Sequence, residues 1–111
     1  MKLKNWRGVS VVIVGAARQG LALARYFLLH GAQVILNDKR QVDELQEARQ
    51  ALADLTEAGA ALEWVVGSHP LSVLEKANLV CVSGGVPLTL PLVEEAQARG
   101  ANGRDGCVSR T

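Results

Sequence analysis

Val9-Ser10-Val11-Val12-Ile13-Val14-Gly15-Ala16-Ala17-Arg18-Gln19-Gly20 decides the fold. The β-branched run up to Val14 is apolar at nearly every position, as in a parallel strand buried on both faces. Gly15 breaks the run, and from Gly20 onward Leu21, Ala24, Phe27 and Leu28 recur at three- and four-residue steps, the stripe of an amphipathic helix. His30 and Gly31 supply a cation and a glycine at its end. A buried strand, a glycine turn and a helix in succession open a βαβ unit.

Working outward, Val34-Ile35-Leu36-Asn37 reads as a second strand that stops at Asp38-Lys39-Arg40. Leu45, Ala48, Leu52 and Leu55 share one helical face, with Asp43, Glu47, Gln50, Asp54 and Glu57 elsewhere and Gly59 as the stop, which predicts one continuous second helix. Leu62-Glu63-Trp64-Val65-Val66 is a third strand. A helical turn around Pro70 to Lys76 leads to a fourth, Leu79-Val80-Cys81-Val82-Ser83, closed by Gly84-Gly85-Val86-Pro87. The last helix spans about Leu90 to Arg99, with Pro91, Glu94 and Glu95 near its positive end and Gly100 after it. This alternation predicts an α/β, Rossmann-like three-layer sandwich with a mostly parallel sheet of four to five strands, in the order three-two-one-four. Residues 1–100 are expected to form the domain. The tail 101–111, with its turn pairs Asn102-Gly103 and Asp105-Gly106, is expected to be poorly ordered or foreign to it. Without a strand there, the fourth strand would be an apolar edge that invites pairing with a second chain.

The chain has 111 residues, 49% hydrophobic and 21% charged, which fits one globular domain and excludes a disordered or collagen-like polymer. A net charge of +1 gives no field to steer the chain to nucleic acid or an anionic membrane, so neither is an expected partner. The longest apolar stretch, Val11 to Ala17, is too short to cross a bilayer. The basic start, Met1-Lys2-Leu3-Lys4-Asn5-Trp6-Arg7, lacks the secretory pattern, so a cytoplasmic location is expected. Cys81 and Cys107 have neither metal-ligand spacing nor a disulfide framework, and both are expected as free thiols.

Ligands of such sheets bind beyond the carboxyl ends of the strands, beside the point where strand order reverses. Three loops meet there: Gly15 to Gly20, Asp38 to Arg40, and Ser83 to Pro87. Backbone N–H groups at the start of the first helix attract phosphate, by roughly 0.3–1 kcal/mol and up to about 2 in partly buried geometry. The bland alternative is that Gly15 permits a turn and Gly20 permits close packing. Ala17 stands where a dinucleotide fingerprint has its middle glycine, which counts against a tight NAD site. Asp38 follows the second strand, where an acidic residue can accept bonds from ribose hydroxyls. Lys39 and Arg40 could meet an NADP phosphate, Arg40 could stack on a base, or both could be a solvated loop. Ser83, Gly84 and Gly85 bring a hydroxyl and permissive backbone to the same crevice, or form a simple turn.

His30 reads as a helix-end cation and His69 as a loop residue. Trp6, Trp64, Tyr26 and Phe27 read as packing. The sequence holds no nucleophile–base pair, no metal cluster and no Gly-x-x-x-x-Gly-Lys-Ser/Thr loop. It offers a binding crevice without catalytic apparatus.

Taken together, Val11-Val12-Ile13-Val14-Gly15-Ala16-Ala17-Arg18-Gln19-Gly20-Leu21-Ala22, Asn37-Asp38-Lys39-Arg40, Gly67-Ser68-His69-Pro70 and Val82-Ser83-Gly84-Gly85-Val86-Pro87 resemble the N-terminal domain of the Mur ligases, most closely the branch that adds D-glutamate. The resemblance runs from about Lys4 to Gly100. It implies a three-domain enzyme of peptidoglycan synthesis, and so of cell-wall growth, shape and division. Such an enzyme uses ATP and magnesium to activate the carboxylate of UDP-N-acetylmuramoyl-L-alanine as an acyl phosphate, which D-glutamate attacks to form an amide. By that resemblance Gly15, Ala17, Arg18, Gln19 and Gly20 meet the diphosphate, Asp38, Lys39 and Arg40 read the uracil and its ribose, and Ser83, Gly84 and Gly85 close the site. ATP, magnesium and the catalytic residues would belong to central and C-terminal domains, the missing partners of this chain. It departs from the family at Ala17, where many members have glycine, and after Gly100, where an aliphatic strand would follow. Two other readings stand beside this one: an NAD(P)-binding domain of a small oxidoreductase or regulatory module, and a crevice that only packs against a missing domain.

Overall fold

The computed structural model describes residues 7–83, Pro91–Arg99 and Cys107–Ser109. Residues 1–6 of the basic start, 84–90, 100 and most of the tail lie outside the described residues.

Strand β1 (Ser10–Val14) is followed by helix α1 (Arg18–Leu29), then by β2 (Gln33–Asp38). After β2 come a 3-10 turn (Val42–Leu45) and helices α2 (Gln46–Ala51) and α3 (Ala53–Glu57). The chain continues through β3 (Leu62–Val66), a second 3-10 turn (Leu71–Lys76), β4 (Leu79–Val82), α4 (Pro91–Arg99) and β5 (Cys107–Ser109). The sheet runs β3-β2-β1-β4-β5, its first four strands parallel and β5 antiparallel to β4. The architecture is the Rossmann-like α/β arrangement, with the expected order three-two-one-four extended by one strand.

Alternation along β1 builds two cores. Val11 and Ile13 face Ala24, Phe27 and Leu28 of α1 and the apolar stripe Leu45, Ala48 and Leu52. Val12 and Val14 face the opposite layer, where Val73, Leu74, Ala77 and Leu92 close the sheet. A strand buried on both faces must be apolar at both parities, which is why Val11 to Val14 are all fully buried. Each such side chain contributes about 1.5–3 kcal/mol of transfer free energy.

Three expectations are corrected here. The continuous second helix is a 3-10 turn and two short helices that break at Leu52, whose φ of −110° and ψ of 4° leave the helical well. The apolar stripe survives the break because Leu45, Ala48 and Leu52 still reach the sheet. Residues Cys107–Ser109 of the tail form β5, pairing Leu79 with Ser109, Val80 with Val108 and Cys81 with Cys107. Backbone hydrogen bonding to an edge needs no periodic side-chain pattern, so three residues suffice. β5 covers the edge of β4 at those three pairs, which removes the premise for self-association there. Finally, Cys81 is not a free thiol but disulfide-bonded; the chain's other cysteine, Cys107, lies opposite it in register.

His30 sits at the C-cap of α1 and donates from Nδ1 to the Tyr26 carbonyl, a capping role that agrees with a helix-end residue. Phe27 is buried and Trp64 packs against the core, as expected, and Tyr26, partly exposed, sets its ring edge-on to Phe27 with centroids 5.3 Å apart. Among the described residues no helix is long and apolar enough to cross a membrane.

Candidate functional site

The loops after β1 and β2 and the residue that follows β4, Ser83, meet at the carboxyl edge of the sheet, and backbone geometry at Gly15 starts the convergence. Its φ of +102° turns the chain out of β1 in a conformation that a side chain disfavours. Its N–H donates to Asn37 O at 2.7 Å, and its carbonyl accepts from Ser83 Oγ at 2.8 Å. Ser83 N–H in turn donates to Val14 O at 2.9 Å. Ser83 is buried, so its hydroxyl ties the end of β4 to the first loop. A Cβ at Gly20 would stand 1.9 Å from Gly15 O and 2.6 Å from Ser83 Oγ. Glycine there is a requirement of close approach between α1 and both loops.

Asp38 joins the second loop to the first. Its carboxylate is buried and accepts four hydrogen bonds: Oδ2 from Ala16 N–H at 2.8 Å and from Arg40 Nη2 at 3.0 Å, and Oδ1 from Arg40 N–H at 2.9 Å and from Arg40 Nε at 3.1 Å. Burial works against its ionisation. The Arg40 guanidinium and the two backbone N–H groups outweigh burial and hold the Asp38 carboxyl at about 2.

Arg18 and Gln19 are exposed at the start of α1, and no side chain caps that helix. Ala17, at the N-cap, is extended and exposed. Beside it opens a cavity of about 780 Å³, whose lining includes Ala17, Arg18 and Arg40 together with Asp43, Glu44 and Glu47. Lys39 is exposed and does not line this cavity. Gly84 and Gly85 lie outside the described residues.

Reading the sequence did not single out Asn37 and His69 as a pair. Asn37 is fully buried at the end of β2 and donates through Nδ2 to Val65 O and Ser68 O, both at 2.8 Å. That leaves Oδ1 as an acceptor, so His69 Nδ1 carries the proton between them, at 2.5 Å. Desolvation lowers the His69 pKa, Asp38 opposes that shift and Lys39 adds to it. The imidazole is therefore neutral near pH 7, with Nε2 as its acceptor. The available signal was an asparagine at the end of an otherwise apolar strand, a polar group that burial obliges to find partners.

Among the described residues, no three His, Cys, Asp or Glu side chains converge to hold a metal. What the geometry builds is a class: a Rossmann-like domain whose loops after β1 and β2 are joined to each other and to Ser83 at the switch point between β1 and β4. Residues 9–103 match the family described as Mur ligase MurD-like, N-terminal domain, and the chain belongs to that family. It is 40% identical over 98 residues to the UDP-N-acetylmuramoylalanine–D-glutamate ligase of Syntrophotalea carbinolica, covering 88% of this chain and 20% of that protein. The ligase of the same name from Macrococcus caseolyticus is 35% identical over 95 residues, covering 86% and 20%. The chain thus spans about a fifth of the length of the curated relatives it matches. Among solved structures, a short-chain dehydrogenase/reductase from Serratia marcescens superposes with a TM-score of 0.56 at 17% identity, over 75% of this chain and 38% of that one. At that identity the likeness is one of fold alone.

Proposed function

We propose that this domain holds the uridine diphosphate end of UDP-N-acetylmuramoyl-L-alanine for a cytoplasmic, peptidoglycan-building ligase that joins D-glutamate to it. The observation that supports this reading is the meeting of the loops after β1 and β2 with Ser83, beside a cavity lined in part by Arg18 and Arg40. The uncapped start of α1, with Gly15, Ala17, Arg18, Gln19 and Gly20, faces the diphosphate, where backbone N–H groups and the helix dipole favour negative charge. The 38–40 loop and the cavity hold the nucleoside, and Ser83, with Gly84 and Gly85, closes the third side.

In the parent enzyme ATP and magnesium would activate the substrate carboxylate. That chemistry is assigned to the remaining four-fifths of the relatives' length, so the chain alone should release no ADP from ATP on addition of both substrates, and magnesium-dependent ADP release from a preparation free of other ligases would contradict this.

A nicotinamide reading is less well supported. Ala17 crowds the pyrophosphate approach, and the Asp38 carboxylate that would accept ribose hydroxyls already accepts four protein donors. Titration of the chain with UDP and separately with NADH, followed by amide chemical shifts, tests the proposal. UDP should shift 18–20, 38–40 and Ser83, with a Kd on the order of 0.1–1 mM because the contacts of the other domains are lacking. Shifts with NADH and none with UDP would overturn it in favour of the oxidoreductase reading, and none with either would leave a packing surface.

A further inference from the structure

We propose that the disulfide at Cys81 is a redox latch: while it holds, β5 stays on the outer edge of β4, and a dithiol that reduces it releases β5 and leaves the rest of the sheet standing. The proposal is independent of the nucleotide-binding reading above.

The two strands that the bond joins are held very unequally. Cys81 is fully buried in the core cluster of Val11, Ile13, Ala24 and Phe27, and β4 pairs with β1 from Leu79 to Val82. Val80 and Val82, of the opposite parity, are buried as well. β4 therefore keeps its place without the bond, and a reduced Cys81 is a small apolar side chain that a core accepts. By contrast, β5 has three residues, where a strand has about five or six, and its one partner in the sheet is β4. The hydrogen bonds of so short a ladder are offset by the entropy of fixing the residues that make them. Attachment of β5 then rests on the cross-link.

Cys107 lies opposite Cys81 at the end of the ladder where the chain enters β5, so the bond clamps that strand at its start. It closes a loop of about 25 residues, and in the chain-entropy account such a closure favours the joined state by about a few hundredfold.

The chemistry is thiol–disulfide exchange with a dithiol. One thiolate of the reductant attacks a sulfur of the bond, forming a mixed disulfide as the other cysteine leaves as its thiolate. The second thiol of the reductant then displaces the remaining cysteine. The reductant is oxidised by two electrons to its own disulfide, and two protons end on Cys81 and Cys107. Because Cys81 is fully buried, direct attack on its sulfur has to wait for the edge to open.

The experiment uses the whole chain with dithiothreitol as the probe. Thiols titrated in denaturant should number none before reduction and two after it, with the mass of a monomer throughout. Amide hydrogen exchange is then followed in the native chain. On reduction the amides of 107–109 should exchange at least about a hundredfold faster, while those of β1 and β2 change by less than about twofold. Oxidised glutathione should restore the slow exchange. Cys107→Ala should show the fast exchange without reductant and no response to it; the wild type with and without dithiothreitol carries the test if that variant folds poorly.

Unchanged exchange at 107–109 after full reduction would overturn the proposal, because hydrogen bonds alone would then hold β5. Loss of protection in β1 and β2 together with β5 would also overturn it and make the bond a staple of the whole domain. Two titratable thiols in the air-oxidised chain, or a bond between two chains, would remove the latch altogether.

Discussion

Replacing Gly20 with alanine probes the joint on which the whole crevice depends. The added Cβ would lie 1.9 Å from Gly15 O, so α1 and the turn must part by about 1.5 Å before the contact becomes an ordinary one. That movement also pulls on the buried bond from Ser83 Oγ to Gly15 O, because the same Cβ stands 2.6 Å from Ser83 Oγ. Overpacking costs roughly 1–3 kcal/mol, and a buried polar pair left unsatisfied costs about 1–3 kcal/mol more. Alanine's better helix propensity returns up to about 1 kcal/mol. The net loss is about 3 kcal/mol, a large part of a domain's usual 5–15 kcal/mol, and lowers Tm by about 10 °C or more. Urea and thermal unfolding followed by circular dichroism read it directly. Gly59→Ala is the reference: it meets nothing within 4 Å but has φ of +94°, so it bears backbone strain alone, about 1–2 kcal/mol. Gly20→Ala within about 0.5 kcal/mol of wild type, or milder than Gly59→Ala, would refute the close-approach argument.

Leu36→Ala, at a fully buried position, should cost about 2–5 kcal/mol in urea unfolding; a loss under 1 kcal/mol would mean that the site collapses around the gap. Asp38 titrates at about 2 in the folded chain against 3.8 unfolded, so its stabilisation is whole above pH 4 and is lost as pH falls through about 2. It amounts to at most about 2 kcal/mol, reduced by solvent screening at the partly exposed Arg40; Asp38→Asn should flatten the acid limb of a stability–pH curve. The His69 pKa is lowered, so below 6.5 the unfolded chain binds more protons than the folded one, and stability falls as pH drops from 6.5 through the lowered value. Imidazole ¹⁵N shifts should report the Nδ1–H tautomer of His69 in the neutral form, and an Nε2–H tautomer would contradict the bond to Asn37.

Much of the fold could be read because it depends on side-chain periodicity. β1 and β3 announce themselves by apolar runs bounded by glycine, and the stripe of α1 by its spacing. What escaped the sequence depends on backbone or on partners distant in the chain. The break at Leu52 leaves the stripe's spacing intact, and β5 is a backbone pairing with β4. The disulfide at Cys81 needed a strand whose position the composition of the tail concealed. At the site, the three loops were legible from the glycines and the Asp-Lys-Arg triplet, but not the bonds that join them. Ala16 contributes only a backbone N–H, invisible as a residue type, and nothing local in the sequence shows that Arg40 folds back onto Asp38. Asn37 and His69 are 32 positions apart and meet only when β3 pairs with β2.

The bonds from Gly15 N–H to Asn37 O, from Ser83 Oγ to Gly15 O and from Ala16 N–H to Asp38 Oδ2 are all made within the protein. The crevice is therefore preorganised, and an arriving ligand need not order the backbone around these contacts. Immobilising a flexible side chain costs roughly 0.5–1.5 kcal/mol on binding, a penalty these joints have already met during folding. Association at this crevice should then be fast and accompanied by little change in backbone order, with the remaining adjustment confined to exposed side chains such as Arg18.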